Sequence, residues 1–511
     1  MKRNLLKAVH VGVLAVMILA LLSCNGEKPP AAENGHPNIV LILTDDMTLA
    51  DLEYMTETKR LIGDQGASFS QYLVSISLCC PSRVCILRGQ YPHNSEIVGN
   101  KPPAGGFQMM YQLGLEESTV AVWLQDAGYR TALIGKYLNG YPATATPTYI
   151  PPGWDEWYVP AGDELMNDFA YQGFNYFLNE NGEIVDYDDA PEDYATDVFA
   201  GKAVDFIQRS SQDGQPFFVY AATYAPHRPS VPAPRHADLF EDIQLPASPS
   251  INEEDIADKS RFFGRNPMLT DEQVEDLRRQ YRLRIQSLQA VDEMVAKVYA
   301  ALEETGQLDN TYIFFTSDNG YHLGEHRLLA GKNTPFEEDI RVPLLVRGPG
   351  IKAGTVIEKL ASNIDLAPTF TELAGVVPPD FVDGRSLAPL LKNRIVFSWR
   401  EGLLIRREAS VDETVWLDPI PALGPQGEVE PLDSLYDAKA GGQFIALRTY
   451  EYTYVEFKNG DKELYDLRND PYQLENIYET ADPKFLDELH EWLKLLKDCK
   501  ADTCREYDIE P

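Results

Sequence analysis

Within Cys79-Cys80-Pro81-Ser82-Arg83 a thiol, a proline, a hydroxyl and a guanidinium stand close together, and the apolar run Val84-Cys85-Ile86-Leu87 follows at once. Pro81 holds its φ at about −65° and suits the first turn of a helix. The residues ahead of it then sit at the positive end of that helix, where an anion is favoured and a thiol is activated. Arg83 adds a planar, permanently charged fork that matches a tetrahedral oxyanion. Cys85 is expected in the core. The plain alternative is a buried cysteine cluster at a helix start.

Four oxygen donors elsewhere in the chain suggest what such a stretch would work with. Asp45, Asp46, Asp318 and Asn319 each follow an apolar run. Adjacent carboxylates in a crevice repel, and a hard divalent cation relieves them. All-oxygen ligands favour Ca²⁺ or Mg²⁺ over Zn²⁺. Lys136, His227, Lys332 and Arg83 make up a cationic set. Beside a divalent cation these would hold a multiply anionic tetrahedral group, with His227 or a lysine protonating the leaving oxygen. His322 lies just past Asp318 and is the better pocket candidate; His326 is assigned to the surface.

Residues this far apart converge only if the fold brings them together. The runs 38–43, 131–134, 216–221, 311–315 and 343–347 read as short, fully buried strands. Helix-period segments at 118–124, 197–207 and 271–302 lie between them. Alternating strands and helices imply an α/β fold with a mostly parallel sheet and helices on both faces. Such sheets bind ligands outside the carboxyl ends of their strands, which is where Asp45, Lys136, His227 and Asp318 fall. After about Arg394 the character changes. Segments 443–448, 452–457 and 463–467 alternate like antiparallel strands, with a hairpin turn at 458–461 and a closing amphipathic helix at 483–497. A smaller C-terminal α+β subdomain is expected there.

With 511 residues, 44% of them hydrophobic and 24% charged, the chain is long enough for a large domain and a second one. A net charge of −34 argues against general nucleic-acid binding, because the mean field repels phosphates. Six cysteines do not make a disulfide framework, although Cys499 and Cys504 could close a small loop in an oxidising compartment. Lys2, Arg3 and Lys7 precede a short apolar run ending at Ser23-Cys24, which describes a signal peptide better than a spanning helix. The Ser23-Cys24 junction looks like a bacterial lipobox that leaves Cys24 lipidated, followed by a tether.

Cys79-Cys80-Pro81-Ser82-Arg83 with Leu87 and Gly89 resembles the signature of type I sulfatases, as do Leu43-Thr44-Asp45-Asp46, Ile134-Gly135-Lys136, Pro226-His227 and Ser317-Asp318-Asn319-Gly320. Gly135-Lys136-Tyr137-Leu138-Asn139, Asp318-Asn319-Gly320-Tyr321-His322, the run 342–351 and the closing Cys499/Cys504 pair are similar to the N-acetylglucosamine-6-sulfatase branch. The resemblance implies an alkaline-phosphatase-like catalytic domain. It also implies that Cys79 is oxidised to formylglycine by a formylglycine-generating or anaerobic sulfatase-maturing enzyme, and that the hydrate is the nucleophile. In that scheme Asp45, Asp46, Asp318 and Asn319 hold one Ca²⁺ with residue 79, and Arg83 steadies the diol. Lys136, His227 and Lys332 grip the sulfate, while His322 and Asn139 contact substrate. Two departures stand out: Leu138 where many sulfatases carry His, and Arg88 where Thr is usual before Gly89.

The expected organisation is a lipoprotein signal peptide over 1–23, a tether over 24–36, a catalytic α/β domain over 37–395 and a C-terminal α+β subdomain over 396–511. The expected function is release of 6-O-sulfate from N-acetylglucosamine in sulfated glycans. The protein would be lipid-anchored in the periplasm or on the surface of a Gram-negative bacterium. A sulfatase for another sugar position, a phosphomonoester or phosphonate hydrolase, and a non-catalytic glycan-binding lipoprotein are the alternatives.

Overall fold

A computed structural model describes residues 35–161, 169–408, 422–423, 429–430 and 442–510. The signal-peptide, lipidation and tether expectations fall outside these residues, apart from Gly35 and His36. Among the described residues no helix is long and apolar enough to cross a membrane. The described residues from His36 onward form one compact unit.

Ten strands build its central sheet: β1 (Asn38–Thr44), β2 (Ala67–Phe69), β3 (Arg130–Gly135), β4 (Glu156–Pro160), β5 (Tyr176–Glu180), β6 (Glu183–Tyr187), β7 (Phe217–Ala222), β8 (Thr311–Ser317), β9 (Leu344–Arg347) and β10 (Thr355–Ile357). Their order is β10-β2-β9-β8-β1-β7-β3-β4-β5-β6. The middle five, β8-β1-β7-β3-β4, are parallel, while β9, β5 and β6 run antiparallel to their neighbours. β1 shows why the centre takes this form: all seven of its residues are buried. Ile39, Leu41 and Leu43 face one core layer, and Val40 and Ile42 the other. A strand covered on both faces needs no polar alternation.

The first layer holds α1 (Cys79–Arg88), α2 (Val120–Asp126) and α5 (Leu366–Leu373). The second holds α3 (Ala195–Asp213) and the long α4 (Asp271–Glu304). Thr270 caps α4 through a reciprocal capping box with Gln273, and Leu277, Tyr281, Ile285 and Leu288 bury at three- and four-residue steps. Near the C-terminus β11 (Gly402–Arg407), β12 (Phe444–Thr449), β13 (Tyr452–Phe457) and β14 (Lys462–Asp466) form a separate antiparallel sheet. α6 (Pro483–Lys497) buries Leu489, Trp492, Leu493 and Leu496. Cys499 is bonded to Cys504.

Candidate active site

The parallel strands all point their carboxyl ends at one edge, and the polar residues that follow them meet there. Asp45 and Asp46 come from the end of β1, Lys136 from β3, His227 from the loop after β7, and Asp318 and Asn319 from β8. α1 delivers Cys79 and Arg83 from the side, and Lys332 arrives on the loop beyond β8. Asp45, Asp46, Arg83, Asp318, Asn319, Lys136 and Lys332 are all buried.

The contacts are dense. Cys79 Sγ lies 3.4 Å from Asp45 Oδ1 and 2.6 Å from Lys332 Nζ. Lys332 Nζ also donates to Asp46 Oδ1, and Lys136 Nζ to Asp45 Oδ2. Arg83 Nε donates to Asp318 Oδ2 at 2.7 Å and its Nη1 to the Lys136 carbonyl at 2.8 Å. Asn319 Nδ2 donates to Asp46 Oδ1 at 2.7 Å. Asp46 adopts the left-handed region, with φ 66°, as the chain turns out of β1. Strained backbone of this kind is held by its surroundings. His227 Nε2 stands 3.6 Å from Asp46 Oδ2, and its Nδ1 lies 2.7 Å from the Arg228 carbonyl.

Burial alone would raise both strand-end carboxyls. Lys136, His227, Arg83 and Lys332 overcome it at Asp45 and hold that carboxyl well below the usual range. Lys332 and His227 also lower Asp46, against burial and the Asp45 charge. Asp318 differs: burial and the Asp45 charge push it up to about 6. Burial works against the charged lysines too, yet Asp45 keeps Lys136 and Asp46 keeps Lys332 firmly protonated. Burial brings His227 down to about 4 against the pull of Asp46 and Asp45. The activated thiol expected at the helix start is not found. Burial and then Asp45 push the Cys79 thiol far up, outweighing Lys136 and Lys332.

A cation fits this set of donors. Single ligand atoms from Asp45, Asp46, Cys79 and His227 lie within 4.8 Å of one another. Asp46 Oδ2 and Asn319 Oδ1 are buried acceptors with no hydrogen-bond partner among the described residues. Unpartnered buried acceptors beside repelling carboxylates are what a hard cation satisfies.

The structure holds His322 to one side, with its Nδ1 on the Asp339 carboxylate at 2.9 Å and its backbone bridged to Gly331, next to Lys332. Asn139 stands at the rim of the site, its Nδ2 3.4 Å from the Tyr171 hydroxyl. His326, expected on the surface, is fully buried. Its Nδ1 pairs with Glu253 at 2.7 Å and its ring stacks on Phe336, contacts from distant segments that local polarity does not reveal. Cys85 is in the core as expected.

Three contributors escaped the sequence reading. Asn100 Oδ1 accepts from the Cys80 backbone N–H at 3.0 Å. Arg284, on the buried face of α4, donates to the Asp46 carbonyl at 2.6 Å and to Asp51 at 2.8 Å. An arginine inside an apolar stripe was a usable signal, because charges bury only when paired. The third is Tyr171, whose ring lies against His227; an aromatic in a weakly periodic stretch gives no such signal.

Residues 37–376 match the sulfatase family model, and the chain belongs to that family. Its fold, a large mixed sheet with a parallel centre plus a small antiparallel sheet, is of the alkaline-phosphatase-like kind. Among its relatives is the human N-acetylglucosamine-6-sulfatase, 36% identical over 509 residues, covering 96% of this chain and 90% of the human protein. An N-acetylglucosamine-6-O-sulfatase of Bacteroides thetaiotaomicron is 26% identical, covering 92% of this chain and 87% of that protein. A solved structure of a protein in complex with its substrate D-glucosamine-2-N,6-O-disulfate superposes with a TM-score of 0.72 at 24% identity, over 93% of this chain and 99% of that one. Members of this family generally use formylglycine and a divalent metal.

Proposed function

We propose that this chain removes the 6-O-sulfate of N-acetylglucosamine residues in sulfated glycans such as glycosaminoglycans or mucin, with residue 79 working as formylglycine beside a calcium ion. The observation that carries the reading is the placement of Cys79 Sγ between Asp45 Oδ1 and Lys332 Nζ, at the centre of the converging strand ends. The names of the human and Bacteroides relatives support the choice of sugar.

A thiol held this firmly protonated is a poor nucleophile, so the reacting oxygen is assigned to formylglycine made from Cys79 by a formylglycine-generating or anaerobic sulfatase-maturing enzyme. Calcium held by Asp45, Asp46, Asp318 and Asn319 would supply positive charge that activates an oxygen on residue 79 and steadies the sulfate. Lys136 and Lys332 carry ammonium donors that exchange their Asp45 and Asp46 contacts for sulfate oxygens. Arg83 holds Asp318 and the Lys136 loop in register. The Arg228 carbonyl fixes the proton of neutral His227 on Nδ1, leaving Nε2 toward the site. A sulfate ester next to Nε2 adds negative charge, raises the affinity of His227 for a second proton, and lets it protonate the departing alcohol.

An anionic exterior around a small cationic pocket suits short or terminal sugars better than long polyanions. The basic, apolar and cysteine-ended N-terminus supports export and lipid anchoring through Cys24, in the periplasm or on the surface of a Gram-negative bacterium. The test is sulfate release from N-acetylglucosamine 6-sulfate, N-acetylgalactosamine 6-sulfate, a 2-O-sulfated uronate and a phosphate ester. Selective release from the first supports the substrate; preference for any other overturns it.

A further inference from the structure

We propose that Tyr171 is a positioning residue of this site, a single aromatic side chain that sets the directions of Lys136, His227 and Asn139; the inference rests on the function proposed above. Tyr171 sits in the one-turn segment Phe169–Gln172, outside the strand ends that supply the charged groups. Its ring centroid is 4.6 Å from that of His227, tilted by 52°. The ammonium of Lys136 lies 4.9 Å from the same centroid. Tyr224 backs the arrangement, edge-on to Tyr171 at 4.6 Å and 5.8 Å from Lys136 Nζ.

Each contact removes a freedom that the chemistry cannot tolerate. A cation over an aromatic face is attracted to it, so the two rings occupy one side of Lys136 and leave its N–H groups aimed at Asp45 and the pocket. His227 is held at Nδ1 by the Arg228 carbonyl, but a single hydrogen bond leaves the ring free to swing about it. The face of Tyr171 stops that swing and keeps Nε2 directed to the Asp46 side. The Tyr171 hydroxyl accepts from Asn139 Nδ2, and Asn139 Oδ1 stays buried without a partner among the described residues. That unpartnered acceptor is the atom the proposal assigns to an N–H or O–H of the sugar. Proton donation and sulfate binding depend on sub-ångström placement of such groups.

The test uses the full, matured, calcium-loaded chain with Tyr171→Phe and Tyr171→Met, after thermal melts confirm folding. Two esters are compared: N-acetylglucosamine 6-sulfate, whose alcohol must be protonated as it leaves, and 4-nitrophenyl sulfate, whose phenolate leaves unaided. Tyr171→Phe keeps the ring, so kcat stays within about twofold on both esters. Tyr171→Met loses up to about threefold in kcat on the nitrophenyl ester, through Lys136 alone, and about tenfold or more on the sugar ester, where misdirected His227 adds to it. An equal loss on both esters, or none on either, overturns the inference. Should Tyr171→Met not fold, Tyr171→Phe decides through Asn139: it raises the sugar KM several-fold in the parent and leaves it unchanged in an Asn139→Ala background. The same rise in both backgrounds overturns the role. A parent protein silent on the sugar but active on nitrophenyl sulfate contradicts the proposed substrate instead, and the same split is then read between phenyl and nitrophenyl sulfates.

Discussion

One guanidinium nitrogen of Arg83 is left over. Its Nε and Nη1 are taken by Asp318 and the Lys136 carbonyl, whereas Nη2 is buried 3.7 Å from Asp45 with no hydrogen-bond partner among the described residues. A lysine cannot reproduce this fork. Arg83→Lys should therefore lower kcat by about 10²-fold or more in steady-state assays, the loss typical of a missing preorganised donor. Glu116 makes a different kind of prediction. It is buried and accepts from Tyr137 at 2.8 Å and Tyr149 at 3.1 Å. Burial raises its carboxyl from 4.5 to about 7. Between those values the folded chain binds more protons than the unfolded chain, so this group's contribution falls as pH rises through the window. Glu116→Gln cannot ionise, and should gain on the parent by about 2 kcal/mol between pH 5 and pH 8, read from denaturant unfolding at both pH values.

At the scale of elements, the site depends on how closely β3 and β7 approach. Gly135 ends β3 with φ 94°, and a Cβ there would lie 1.9 Å from the Ala222 carbonyl oxygen. The Lys136 N–H donates to that same oxygen at 2.9 Å. Gly135→Ala should push the strands apart and carry Lys136 away from Asp45. Expected losses are roughly 2 kcal/mol of stability and about 10²-fold in kcat, measured by melts and sulfate release. The strand ends were legible in the sequence because a doubly buried strand reads as an unbroken apolar run, and a charge that ends it must lie at an edge. α4 was legible from its period. β4, β5 and β6 were not, since their apolar runs (157–159, 176–178 and 184–185) are only two or three residues long and pairing partners supply what local pattern lacks. β11 was missed for a related reason: it pairs with β12, whose residues come some forty positions later. Lys332 could be nominated by type, but only the folded loop brings it to Cys79.

For the whole molecule, charge sets the approach of substrate. A net charge of −34 repels a sulfated sugar until it reaches Lys136, Lys332 and Arg83 at the strand ends. Screening weakens that repulsion over about 10 Å at 0.1 M salt. Raising ionic strength from low to physiological should thus increase kcat/KM for a monosulfated sugar by about two- to fivefold, with little change in kcat. An unchanged or falling kcat/KM would mean that the local cations govern the encounter. Everything proposed for the site turns on residue 79, as formylglycine, being the reacting group. That role is tested most directly by following sulfate release from N-acetylglucosamine 6-sulfate as the fraction of protein carrying formylglycine at position 79, quantified by mass spectrometry, is varied in the presence of calcium. The rate should be proportional to that fraction, with no release from Cys79→Ala. Equal activity in the unconverted thiol form, or in Cys79→Ala, would contradict it.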